Sequence, residues 1–218
     1  MKSGQFNKAA CRNPQRSQER ILEAALKEFA AKGFAGARVD AIARRARINK
    51  RMLYHYFRDK EGLFRKVLRR KLAERAAWLA SAPDDPVEDL SYWFQLACRD
   101  HDWVRLLEWE ALQWGGRKVI DEKHRQAAFV RAVERIRRQQ ADGQVSAALD
   151  PAQLLLSMMA LTAYPLAFPQ LARLASGLSV SGAKFKKQRL QFLRQFAAAL
   201  KVAAAVPAGF PRQEAVSQ

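Results

Sequence analysis

The sequence predicts an all-α protein of nine helices. Three observations carry that expectation: apolar residues recur at helical spacing, cap residues stand just ahead of those runs, and no stretch shows a convincing strand pattern. A first helix is expected from about Pro14 to Lys32, where Ile21, Leu22, Ala25, Leu26 and Phe29 form one apolar stripe. Gly33 ends it as a left-handed C′ residue, and Phe34 follows where a Schellman motif places a hydrophobe. Two short helices, Val39 to Ala46 and Lys50 to Phe57, are separated only by Arg47, Ile48 and Asn49, which is helix-turn-helix spacing. Asn49 caps the second of them, and Asp59 caps a fourth helix from Lys60 to about Ala80, ended by Pro83.

The later helices are announced by their caps. Asp85-Pro86-Val87-Glu88 and Asp150-Pro151-Ala152-Gln153 both resemble a capping box with Pro at N1. Between them, Asp102 is expected to start a helix that Gly115 and Gly116 end, and another runs from about Ile120 to Asp142-Gly143. The last two are expected from about Asp150 to Ser176, bent at Pro165 and Pro169, and from about Ser181 to Val206. The organisation follows: a flexible basic arm over 1–13, a helix-turn-helix domain over 14–60, a larger helical domain over 61–206, and a disordered tail over 207–218.

Charge separates the two ends. The chain of 218 residues carries 39 Lys+Arg and 21 Asp+Glu, a formal +18. Residues 1–72 hold 20 cations and 6 anions, a balance of +14, against 19 and 15 over residues 73–218. An anion-seeking surface is therefore expected in the N-terminal third, although charge alone fits a solvated basic surface equally well. Two cysteines, Cys11 and Cys98, make no disulfide framework, and with no signal peptide and no run of ~20 apolar residues a cytoplasmic protein is expected.

The helix from Lys50 to Phe57 has two unlike faces. Leu53 and Phe57, one turn apart, form an anchoring seam with Ile42 and Ile48. Arg51, Met52, Tyr54 and His55 project from the other side, with Lys50 and Tyr56 at the flanks. A cationic and aromatic outer face suits a DNA major groove, where Arg or Lys meets guanine O6/N7 and apolar groups meet thymine methyls. His55 lies beside the seam, and packing against the first helix or contact with the groove are both open to it.

Gly33-Phe34, Val39-Asp40-Ala41-Ile42-Ala43, Ile48-Asn49-Lys50, Leu53-Tyr54-His55-Tyr56-Phe57 and Lys60-Glu61-Gly62-Leu63-Phe64 together resemble, in order and spacing, the N-terminal signature of TetR/AcrR transcriptional regulators. The likeness covers roughly residues 16–68; beyond them it extends only to helical plan and length. It implies a TetR-like architecture and a homodimeric, ligand-responsive DNA-binding repressor on a palindromic operator, its two reading heads about one DNA turn apart, ~34–36 Å or slightly more. Carried onto this chain, the base-reading residues are Lys50, Arg51, Met52, Tyr54 and His55, with Tyr56 and Lys60 as backbone clamps. Two departures bear on this. Ala37-Arg38 stands where the family usually has Thr or Ser as a cap, so Arg38 would meet the phosphate directly. Arg47 stands where the turn usually has Gly, so the turn avoids positive φ or tolerates strain; with Arg44 and Arg45 it forms either a backbone-binding rim or solvated charge.

All five tryptophans, Trp78, Trp93, Trp103, Trp109 and Trp114, fall within 37 residues. Core packing is the plainer reading of each; as a group they suggest more, and the family resemblance implies an effector cavity. The expected lining is Trp93, Trp109, Trp114, Phe129, Tyr164 and Phe168, for a small apolar or aromatic effector. The last two helices are apolar on most sides, as a helix needing a second partner is. Leu154, Leu161, Phe185, Phe192, Phe196 and Leu200 are the expected homodimer interface. Cys98, His101 and the neighbouring acids do not complete a four-ligand metal set, and no nucleotide-binding or hydrolase motif occurs, so neither cofactor nor enzymatic activity is expected. A sequence-indifferent, nucleoid-type DNA binder is the first alternative, and an enzyme or binding module with an incidental basic surface the second.

Overall fold

The structure, a computed structural model, describes residues 14–115 and 117–202. The arm over 1–13, the tail over 207–218 and the last residues of the expected final helix lie outside that range. The described residues are all-helical, with α1 (Pro14–Gly36), α2 (Val39–Ala46), α3 (Lys50–Phe57), α4 (Lys60–Ala80), α5 (Pro86–Arg99), α6 (His101–Trp114), α7 (Glu122–Ala141), α8 (Pro151–Ala167), α9 (Pro169–Ser176) and α10 (Ala183–Val202). Ten helices stand where nine were expected, because the chain breaks at Phe168 and restarts with Pro169 at N1. The axes of α8 and α9 then meet at 91°. Pro165, by contrast, stays inside α8. Among the described residues no single helix is long and apolar enough to cross a membrane.

Local chemistry sets the N-terminal boundaries. Gly33 has φ 69° and ψ 179°, a region that essentially only glycine occupies, and α1 resumes for one further turn beyond the kink. Asp59 caps α4 by accepting from the Gly62 N–H at 2.6 Å. Gly62 is needed there, since a Cβ would stand 2.5 Å from the Phe57 carbonyl oxygen. Asp150 caps α8 through the N–H groups of Ala152 and Gln153. Asp85 precedes α5 without making the side-chain cap bond. Asp102 does not start α6; the helix begins one residue earlier, and the Asp102 carboxylate is drawn into an ion pair with Lys27 at 2.6 Å. α7 starts at Glu122 rather than Ile120, because Ile120 is buried in the core ahead of the helix.

Two cores result. The first gathers Ile21, Phe29, Ile42, Leu53, Leu63, Phe64 and Leu68 from α1 to α4, and Trp103 and Leu106 of α6 join it. The second packs α5 against α8 and α10 through Leu90, Phe94, Leu166, Phe185 and Leu193. α6 lies along α1, so the helix-turn-helix is fastened to the rest of the molecule by more than the continuity of α4.

Candidate nucleic-acid interface

The turn before α3 is a Schellman motif built on a strained residue. Arg47 has φ 52° and ψ 49°; its N–H donates to the Arg44 carbonyl at 3.1 Å, and the Ile48 N–H donates to that of Ala43 at 3.0 Å. Arg20 of α1 reaches across to donate to the carbonyls of Ala46 and Arg47, so the turn is held from below as well. The left-handed conformation is therefore kept without glycine, at a cost of roughly 1–2 kcal/mol. Arg38 precedes α2 as an extended residue making no cap bond, as its chemistry requires. Its N–H is instead taken by Glu28 at 3.4 Å, and Glu28 is buried.

α3 is locked in place. The Asn49 side chain accepts from the Arg51 N–H at 2.9 Å, Leu53 is fully buried and Phe57 nearly so. Lys50, Arg51, Tyr54 and His55 are exposed, while Met52 and Tyr56 are half-buried. His55 thus stands on the outer side of the helix, its ring edge-on to that of Tyr56 at 5.5 Å, and the core alternative falls away. Tyr56 leans on the first core at the flank of α3. Arg38, Arg44, Arg45 and Arg47, on α2 and at its two ends, are exposed.

Two cations already have partners. Lys50 pairs with Asp40 of α2 at 2.8 Å, and their hydrogen bond raises the lysine pKa and lowers that of the carboxyl. Lys60 donates to the Ala35 carbonyl at 3.2 Å and lies 5.0 Å from the centre of the Phe34 ring. Burial pushes its pKa down. Such an ammonium, at the first turn of α4, is stabilised by any anion that approaches.

The six aromatic residues expected around an effector do not line one cavity. Trp109 packs on the Gly33 kink, where a Cβ would come within 2.6 Å of its ring, and its Nε1–H donates to the Ala30 carbonyl at 3.1 Å. Trp114 joins Phe34 and Phe64 at 5.6 and 5.7 Å. These two tryptophans therefore fix α6 to the helix-turn-helix. Trp93 donates to buried Asp89 at 3.0 Å. Phe129 is exposed, and Tyr164 and Phe168 are exposed as a pair with ring centres 5.0 Å apart. None of the six lines the hollow of about 380 Å3 between His101, Arg105, Leu166 and Arg173, or that of about 600 Å3 between α1 and α4.

The residues expected to pair two subunits divide. Leu154 and Phe185 are buried within this chain, Leu161, Phe196 and Leu200 are half-buried, and Phe192 is exposed. The outward stripe of α8 is instead Leu156, Met159 and Tyr164, with Leu171 and Leu174 of α9 beside them in sequence. Two residues went unread in the sequence although a signal exists: Glu28 sits on the Ile21 side of α1, an acid on an apolar face, and Arg20 precedes the same stripe.

Comparison with known proteins agrees with this geometry. Residues 21–67 match the bacterial regulatory proteins of the tetR family, and residues 91–198 match the tetracyclin repressor-like C-terminal domain. The chain is 36% identical over 172 residues to the HTH-type transcriptional repressor SCO4008 of Streptomyces coelicolor, covering 77% of this chain and 88% of that protein. It is 47% identical over 53 residues to the HTH-type transcriptional repressor NicS of Pseudomonas putida, 24% of this chain and 25% of the other. The solved structure of the transcriptional regulator SCO4942 of S. coelicolor superposes with a TM-score of 0.65 at 28% identity, covering 86% of this chain and 96% of that one. With a locked, outward-facing recognition helix and both halves matched, this chain belongs to the TetR family of DNA-binding transcriptional regulators.

Proposed function

We propose that the protein is a ligand-responsive repressor that binds a palindromic operator as a homodimer. The observation that carries this reading is α3 itself: eight residues pinned by Leu53 and Phe57, presenting Arg51, Tyr54 and His55 to solvent beside a rim of arginines. Lys50, Arg51, Met52, Tyr54 and His55 read bases; Arg38, Arg47, Tyr56 and Lys60 hold the backbone. Lys50 exchanges Asp40 for a base or phosphate when DNA arrives, and a phosphate gives Lys60 the counter-charge its half-buried position lacks. Two copies pair through α8 and α10, with Leu156, Met159 and Phe192 as the outward apolar contribution. A small apolar or aromatic effector then shifts α4 and α6, the two helices that support the reading head, and releases the operator.

Selection of bound duplexes from a random pool tests this reading. A palindromic winner bound at least a thousandfold more tightly than bulk DNA is expected, in line with specific regulators generally. Equal affinity for all duplexes would establish the sequence-indifferent alternative instead.

A further inference from the structure

Arg75 of α4 occupies an unusual environment. Its guanidinium carbon lies 5.9, 5.3 and 5.1 Å from the ring centres of Trp78, Trp93 and Trp103, contributed by α4, α5 and α6. Trp103 is buried, whereas Arg75, Trp78 and Trp93 are half-buried, so the cluster keeps some contact with solvent. Nη1 is buried with no hydrogen-bond partner among the described residues, and no carboxylate there forms an ion pair with the guanidinium. Nearby Asp100 favours the charged form from a distance, but its own ion pair is with Lys71 at 2.8 Å. Burial accordingly pushes the Arg75 pKa down.

These features favour a positive charge and disfavour the group that supplies it. Three indole faces and the field of Asp100 attract a cation. The same walls offer no acceptor to Nη1, whereas a guanidinium brings five N–H donors that water would satisfy. A cation without N–H groups has nothing to leave unpaired in such a cage. Exchange would also return the Arg75 donors to water. An anion meets the negative faces of three rings, and a neutral aromatic gains stacking alone.

We propose that this cage is the effector site, and that it takes organic cations lacking N–H donors, such as quaternary ammonium ions, by exchange for the Arg75 guanidinium. The assignment rests on the ligand-responsive reading above and replaces its apolar or aromatic effector with a cationic one. It also supplies a route to the DNA-binding helices: α4 begins at Lys60 directly behind α3, and α6 carries Trp103 at the cage and Trp109 at Gly33.

The test is calorimetric titration of the full chain with benzyltrimethylammonium, benzylammonium, benzyl alcohol and benzoate. Benzyltrimethylammonium is expected to bind at least tenfold more tightly than the other three. Arg75→Met, which removes the internal competitor, is expected to tighten it at least tenfold further, and Trp93→Leu to weaken it tenfold or more. Equal affinity across the four probes, or weaker binding to folded Arg75→Met, overturns the proposal. If circular dichroism shows that Arg75→Met fails to fold, the ranking of the four probes on the native chain decides alone. Operator retention in the same samples separates the two readings. Cage binding without operator release upholds the cation site and overturns ligand-responsive repression. Operator release by neutral aromatics, with no cation binding, overturns the cage and leaves that repression standing.

Discussion

The recognition helix and the tryptophan-bearing helix α6 use aromatic side chains in opposite senses. α3 turns Tyr54 and His55 to solvent and spends only Leu53 and Phe57 on anchorage, whereas α6 turns Trp103, Trp109 and Trp114 toward its neighbours. The first arrangement leaves a surface free for an external partner; the second makes α6 a strut between the larger domain and α1. An aromatic group's role is set by which side of its helix is pinned, and one residue of phase changes it. Leu53 and Tyr54 are neighbours in sequence with opposite duties.

The contact between strut and reading head breaks most readily at Gly33. A Cβ there meets Trp109 at 2.6 Å on backbone that only glycine adopts comfortably. Gly33→Ala is therefore expected to lose about 4 kcal/mol in urea unfolding, combining overpacking with backbone strain. An unchanged midpoint would show that Trp109 does not rest on the kink. Next in size is the pair at the centre of α3. Leu53→Ala should cost about 3 kcal/mol, as a fully buried leucine does, while Tyr54→Ala should change stability by less than about 0.5 kcal/mol yet weaken operator binding. Chemical denaturation and anisotropy titration of the two variants, side by side, would reverse that order if the helix were rotated.

Arg47→Gly gives a smaller effect of the opposite sign. Glycine relieves the positive φ, so stability should rise by roughly 0.5–1 kcal/mol, while the slope of log affinity against log salt falls by about one unit if Arg47 neutralises a phosphate. A loss of stability would mean the side chain, not the backbone, dominates at the turn. The smallest effect is expected at the loop before α7. Asp121 accepts from Arg69 of α4, which holds its carboxyl below the usual range. A depressed folded pKa contributes stability that is present above the unfolded value of about 4 and is lost as pH falls through the folded value. The arginine is exposed, so solvent screens the pair and its contribution is small. Asp121→Asn should flatten the acid limb of stability against pH below about pH 4, and an unaltered limb would remove the pair from the account.

What was legible in the sequence was what is local. Asn49, Asp59 and Asp150 cap the helices they precede, because a cap bond reaches only two or three residues. The two faces of α3 were separable because apolar and polar residues alternate with helical phase. α8 gives no such phase. Leu154 and Leu156 are equally apolar, yet the first is buried against this chain and the second is exposed, a choice made by Ile136 of α7 and by Val145 rather than by α8. The interface expected there therefore mixed inward and outward residues. The tryptophans divide for the same reason: the family resemblance implied an effector cavity lined by Trp93, Trp109 and Trp114, whereas Trp109 and Trp114 pack toward α1 and α4 and Trp93 joins Trp78 and Trp103 around Arg75. Asp102 shows the limit of cap chemistry too, since an ion pair 75 residues away in sequence claims its carboxylate.

The central claim, that the outer face of α3 reads base sequence, is tested most directly by anisotropy titration of the selected operator and a shuffled duplex with the native chain and Arg51→Ala. The account predicts a tenfold or greater loss for Arg51→Ala on the operator, about 1–3 kcal/mol for a base contact, with the shuffled duplex changed far less. An equal loss on both duplexes would contradict it, and would make Arg51 one more contact to the backbone.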